Sequence, residues 1–198
     1  MGGGGRTAVM AGFRRLSRTI DTVNGFIGRI LAWVAVVLVV LGVINVVGRY
    51  LGAHLGMQLS SNAVLEAQTQ AFNLIFLLGA AWLLMRGGHI RVDILHSRFG
   101  PRLREWVDLI GHVVILIPFS LTMMWLSWDY VMRSWTRLEV SPNPGGLPLY
   151  PIKTVILVAF LLLALQGLSE IIKRVDALRQ IAAESRPETD PIDTADPR

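Results

Sequence analysis

The chain has 198 residues, of which 53% are hydrophobic and 17% charged, with a net charge of +5 and no cysteine. A soluble domain carries roughly 25% charged residues, and the missing thiols exclude disulfides, thiolate metal sites and iron–sulfur clusters. The Arg and Lys residues sit beside apolar runs, as they do in membrane anchors, so membrane lipids are the expected partner and nucleic acid is not.

From the N-terminus, a glycine run at 2–5 predicts a flexible start. Phe13, Leu16, Ile20, Val23 and Ile27 then recur at helical spacing, with Arg14, Arg15 and Arg18 on other faces. Two readings stand open: an amphipathic helix lying flat in the inner interface, or an N-terminal extension of the first span's own helix. A first run, 30–47, is long enough to cross hydrocarbon and contains one strongly polar residue, Asn45. It is longer than a usual signal-peptide core and no clear cleavage site follows it, so a retained anchor is expected.

The second run, 67–85, has Gln68, Gln70 and Asn73 in its first half. Gly87 and Gly88 permit a sharp stop after it, and Gly87-Gly88-His89-Ile90-Arg91-Val92-Asp93 opens the second connection, where Arg91 and Asp93 are expected to pair. Pro101 suits the first turn of a further interfacial helix, and Leu95, Phe99, Trp106 and Ile110 fall close to one face. The third run, 109–127, is interrupted by His112 and Pro118.

The third connection reads Ser141-Pro142-Asn143-Pro144-Gly145-Gly146-Leu147-Pro148-Leu149-Tyr150-Pro151. Its prolines and glycines exclude regular helix and central strand, leaving extended pieces and turns. Trp125, Trp128, Tyr130, Trp135 and Tyr150 surround it, either as an interfacial belt or as a contact surface for a partner. The fourth run, 152–172, carries Gln166 and Glu170 near its far end, with Lys173 and Arg174 placed to pair with Glu170. The tail is rich in Pro, Asp and Thr and is expected to be disordered towards its end. The organisation is thus an N-terminal segment at 1–29, a four-helix membrane domain at 30–172 and a tail at 173–198.

Counted along the chain, Lys and Arg number five, one, five, three and five in the segments before, between and after the four runs. The alternation places the N-terminus, the second connection and the tail in the cytoplasm. The fold class is therefore an all-α membrane protein with four transmembrane helices, cytoplasmic termini and one or two interfacial amphipathic helices.

Ionisable groups inside spans are candidate sites because burying them is costly. Glu66, Gln70 and Asn73 share one helix face at i, i+4 and i+7, and Asn45 lies at a similar depth. The favoured reading is interhelical hydrogen bonding between spans one and two or to a neighbouring subunit, ahead of an ion or substrate site. Of the histidines only His112 lies within a span, so a haem held by two facing histidines has no second ligand. No nucleotide loop, zinc-protease motif or nucleophile elbow occurs, so no cofactor and no enzymatic activity are expected.

Over about residues 20–175 the chain resembles the small membrane subunit of tripartite ATP-independent periplasmic (TRAP) transporters. The resemblance rests on the four-span layout, on Ser61-Asn62-Ala63-Val64-Leu65-Glu66, on the stretch from Gly87 to Asp93, and on the stretch from Ser141 through Pro148 to Lys153. Leu165-Gln166-Gly167-Leu168 also fits, and the Ser141–Gly146 version is most like the mannitol/chloroaromatic-compound branch. The resemblance implies a bacterial inner-membrane scaffold for a large permease subunit in sodium-coupled uptake of an organic acid or related small solute. It implies a part in docking a periplasmic substrate-binding protein as well. On that view Asn45, Glu66, Gln70, Asn73 and Gln166 contact helices of this chain or of the large subunit. Asn143, Gly145, Gly146 and Tyr150 form a periplasmic docking loop. The competing readings are a haem-binding electron-transfer subunit and a stand-alone membrane adaptor.

Overall fold

The computed structural model describes residues 3–56, 61–87 and 100–184. They form helices α1 (Gly3–Leu55), α2 (Asn62–Met85), α3 (Pro101–Ile110), α4 (Ile117–Thr136) and α5 (Tyr150–Glu184), with a π-helical stretch, Gly111–Leu116, joining α3 to α4. Among the described residues four helical stretches are long and apolar enough to cross a membrane: Met10–Leu55, Asn62–Met85, Arg102–Thr136 and Tyr150–Ala183. Each is longer than its apolar run. A hydropathy run marks only the hydrocarbon-facing part, and a helix continues past it because its backbone bonds stay satisfied in the interface.

Residues 13–27 are the continuous first half of α1, not a separate helix. The face turned into the bundle is Ser17, Ile20, Asn24, Gly28 and Leu31, whereas Phe13, Leu16 and Val23 point outward. The polar stripe is inside and most of the apolar stripe outside, the arrangement expected where the surroundings are apolar and helices associate through polar bonds and small residues. The same rule holds across the interior, where Ala71, Ala81, Ser120, Ser134, Ala159 and Ser169 are buried. Trp33 is 74% exposed, Phe76 71% and Trp125 76%. Apolar surface on this scale faces lipid or another protein.

Local sequence sets the helix ends. The Ser61 hydroxyl accepts from the Val64 N–H at 3.3 Å and caps α2. Gly87 closes it in the left-handed region at φ +66°, its N–H donating to Leu84 O at 3.0 Å. Gly100 precedes Pro101, which occupies the first turn of α3, where its missing N–H costs nothing. Pro118 cannot donate within a helix, and the widened turn lies just ahead of it, with the Ile117 N–H donating to His112 O.

Two glycines permit close crossings. A Cβ on Gly28 would lie 2.1 Å from Cδ1 of Trp82, so the indole of α2 rests directly on the backbone of α1. A Cβ on Gly167 would lie 2.9 Å from a Leu116 methyl, which sets the approach of α5 to the π stretch. Arg174 of α5 reaches both Glu105 oxygens at 3.1 Å and Asp108 at 3.3 Å, fastening α3 to the bundle. The expected local pairing of Glu170 is therefore made by Lys173, at 2.7 Å, and not by Arg174. Both described ends of the chain lie at the same end of the bundle, where Arg14 of α1 pairs with Asp176 of α5 at 2.6 Å.

Candidate functional site

The segment between α4 and α5 is a small hairpin held on the end of α2. Leu138 leaves α4 at φ +44°. Glu139 O then accepts from the Leu149 N–H at 2.9 Å, and Leu147 O accepts from the Ser141 N–H at 3.1 Å. Val140 and Pro148 form an isolated antiparallel bridge between these bonds. At the tip the Gly146 N–H donates to Asn143 O at 2.9 Å, and Gly145 sits at φ +71°. Pro at the second position and a positive-φ Gly at the third are the residues that a type II turn requires. A Cβ on Gly146 would lie 2.6 Å from that of Ser141, so the turn also needs glycine there for space.

Glu66 of α2 clasps this hairpin. One carboxylate oxygen accepts from the Ser141 hydroxyl and, at 2.8 Å, from Asn143 Nδ2; the other accepts from the Leu147 N–H at 2.7 Å. One turn along α2, Gln70 Nε2 donates to Pro148 O at 3.1 Å. The helix face that carries Glu66 and Gln70 therefore faces the hairpin and not span one. Asn73, next on that face, is half-buried and makes no such bond, and nor does half-buried Asn45 on α1. Where α1 meets α2 at a comparable level, Gln68 approaches Gly42 instead.

The base of the hairpin is fixed from α5. Lys153 pairs with Glu139, and its ammonium lies 4.3 Å from the centre of the Tyr130 ring. The lysine holds the Glu139 carboxyl below its ordinary value of 4.5. Tyr150 stacks edge-on against Trp135 with ring centres 4.7 Å apart, and the Trp135 indole N–H donates to Thr154 Oγ1 at 2.7 Å. Trp125 and Trp128, by contrast, face outward.

At the other end of the bundle a polar seam joins α1 to α5. Gln166, fully buried, accepts from Asn24 Nδ2 at 2.7 Å and donates to Asp21 at 2.9 Å and Glu170 at 3.2 Å. Ser17 and Ser169 share a hydrogen bond of 2.7 Å, and Lys173 bridges Asp21 and Glu170 at 2.8 and 2.7 Å. Sequence reasoning singled out Gln166 but passed over Ser17, Asp21 and Asn24. The signal was available: those three residues recur on one face of α1 at spacings of four and three. Arg91 and Asp93 lie outside the described residues.

Among the described residues no three His, Asp or Glu side chains converge as a metal site. Apart from Asn24 Oδ1, which is buried without a hydrogen-bond partner among the described residues, the polar groups of both clusters are occupied with one another, an arrangement suited to holding elements in place. Against known protein families, residues 38–177 match the model described as tripartite ATP-independent periplasmic transporters, DctQ component. The chain belongs to the DctQ family. It is the small membrane subunit of a TRAP transporter, a multi-pass component of the inner membrane that works with a large permease subunit and a substrate-binding protein. The DctQ match covers α2 to α4 whole, from the second half of α1 to the greater part of α5, and so takes in both the Glu66 clasp and Gln166. No curated protein and no solved structure matches the chain.

Proposed function

We propose that this subunit is the stationary brace of a sodium-coupled carrier, oriented with both termini in the cytoplasm and the 139–149 hairpin in the periplasm. The charge alternation supports the orientation. The large subunit carries the moving, substrate-binding part, and this chain widens the part that stays still.

The observation that carries the reading is the Glu66 clasp. A segment with the composition of a mobile loop is pinned to α2 by both carboxylate oxygens and to α5 through Glu139 and Lys153. The hairpin thus belongs to the same body as the helices, as a frame requires, and it presents Asn143, Gly145 and Gly146 in a fixed shape for the periplasmic binding protein. The exposed Phe76 and an apolar groove of about 730 Å³ between α1, α2 and α5, lined by Gly28, Ala32, Ala35, Gly79 and Phe160, fit membrane-embedded contact with the large subunit.

Reconstitution into liposomes tests the reading. Candidate organic acids should enter only when all three components are present with an inward sodium gradient. Uptake by this chain alone would overturn the brace. A tail tag labelled only from outside spheroplasts would overturn the orientation.

A further inference from the structure

Beyond the polar seam, the end of the bundle that holds both termini contains a cleft of about 670 Å³ between α1 and α5. Its walls carry Arg14, Arg15 and Arg18 on α1 and Arg179 on α5, against a single carboxylate, Asp176. Asp176 is taken by Arg14, and Arg179 Nη1 donates to the Met10 sulfur at 2.8 Å. Neither the Arg15 nor the Arg18 guanidinium has a partner among the described residues. The helices are thus held together while positive charge is left over, converging on a space large enough for a ligand.

We infer that this cleft binds the phosphodiester headgroup of an anionic phospholipid of the inner leaflet. Guanidinium groups recognise phosphate oxygens through paired N–H donors, and basic pockets between membrane helices on the cytoplasmic side are suited to such headgroups. A lipid, rather than a soluble phosphate, follows from what lies above the arginines. Arg15, Arg18, Thr22, Phe26, Arg29 and Trp33 follow one another at spacings of three and four, so they share one face of α1, and all are exposed. Phe26 stands about 12 Å along the helix from Arg18, and Trp33 lies further into the apolar part of the span. The face carries Arg15 and Arg18 at its foot, Arg29 stacked 5.8 Å over the Phe26 ring and Trp33 above, so an acyl chain leaving a headgroup at the foot would run over aromatic surface. A bound lipid of this kind would join α1 to α5 across the cleft. The chemistry requires no particular orientation; only the assignment to the inner leaflet rests on the orientation proposed above.

Native mass spectrometry of the complex purified with its large subunit reads lipid retention directly. The probes are dioleoylphosphatidylglycerol, dioleoylphosphatidylcholine with the same chains, and inorganic phosphate as competitor. The expected result is preferential retention of phosphatidylglycerol, lowered about tenfold in the Arg15→Gln/Arg18→Gln double variant. It should be unchanged in Arg137→Gln at the opposite end of the bundle, and not displaced by millimolar phosphate. If the double variant fails to assemble, Arg179→Gln on the facing wall reads the same cleft. Equal retention of both lipids by the wild-type complex would overturn the inference and give the cleft to an acidic segment of a partner. Displacement by inorganic phosphate, or unchanged phosphatidylglycerol retention in both the double variant and Arg179→Gln, would overturn it as well.

Discussion

The carboxylate of Glu66 accepts the Leu147 backbone N–H at 2.7 Å across 81 residues of sequence. A single side chain on α2 thereby fixes the shape of a segment that connects two other helices. Charge-assisted bonds of this kind are roughly twice as strong as neutral ones, and Glu66 makes three to three successive parts of the hairpin.

Replacing Glu66 with Ala should release the hairpin while leaving the helices intact. Amide exchange at Leu147 is expected to accelerate by about tenfold, with helicity unchanged by circular dichroism. Glu66→Gln should fall between, since it keeps acceptor capacity but loses the charge. Unaltered exchange in Glu66→Ala would show that the backbone bonds of the hairpin suffice.

Gln166 bridges Asn24, Asp21 and Glu170 inside the seam. Gln166→Leu removes all three bonds and strands buried polar partners, at a cost of about 1–3 kcal/mol. Thermal unfolding of the purified complex should shift downward. Ser17→Ala, which removes one shared hydroxyl bond, should shift it less.

Gly28→Ala places a methyl group where the Trp82 indole now lies. Overpacking of this kind costs about 1–3 kcal/mol. The double variant Gly28→Ala/Trp82→Leu should recover part of that loss in the same melting assay, because the clash has been removed from the other side. Two independent, additive losses would contradict the packing described.

Lys153 holds the Glu139 carboxyl below its ordinary value of 4.5. A carboxylate depressed in the folded protein contributes its full stability above the unfolded value and loses it as pH falls through the folded one. Hairpin protection is therefore expected to stay level from neutral pH down to about 4.5 and to decline below that. Glu139→Gln should make this decline shallower without abolishing it, because protonation of the Glu66 clasp loosens the same hairpin, as measured by limited proteolysis at 138–149 across the acid range.

Hydropathy made the four spans legible, because water and hydrocarbon sort long apolar runs without reference to tertiary contacts. The turn residues of the hairpin were equally visible: Pro144 and Gly145 state their own backbone angles. The partner of Glu66 was not. Its spacing with Gln70 reveals a shared face but not what that face meets, and the adjacent span was a closer guess in sequence than a loop 81 residues away. The inward face of α1 was not legible for a related reason. The stripe from Phe13 to Ile27 looks like a core only if the surroundings are water; in lipid, Ser17 and Asn24 gain more from facing α5 than Phe13 and Leu16 do.

The widened turn at Gly111–Leu116 determines the angular setting of α3. One residue added to or removed from a helix turns everything before it by about 100°. Glu105 and Asp108 meet Arg174 only because the π stretch supplies that rotation. The same residues wound here as regular α-helix would keep the span and its hydropathy, yet α3 would present a different edge to α5 and its acidic pair would swing off the arginine. The irregularity ahead of Pro118 thus acts as an indexing notch.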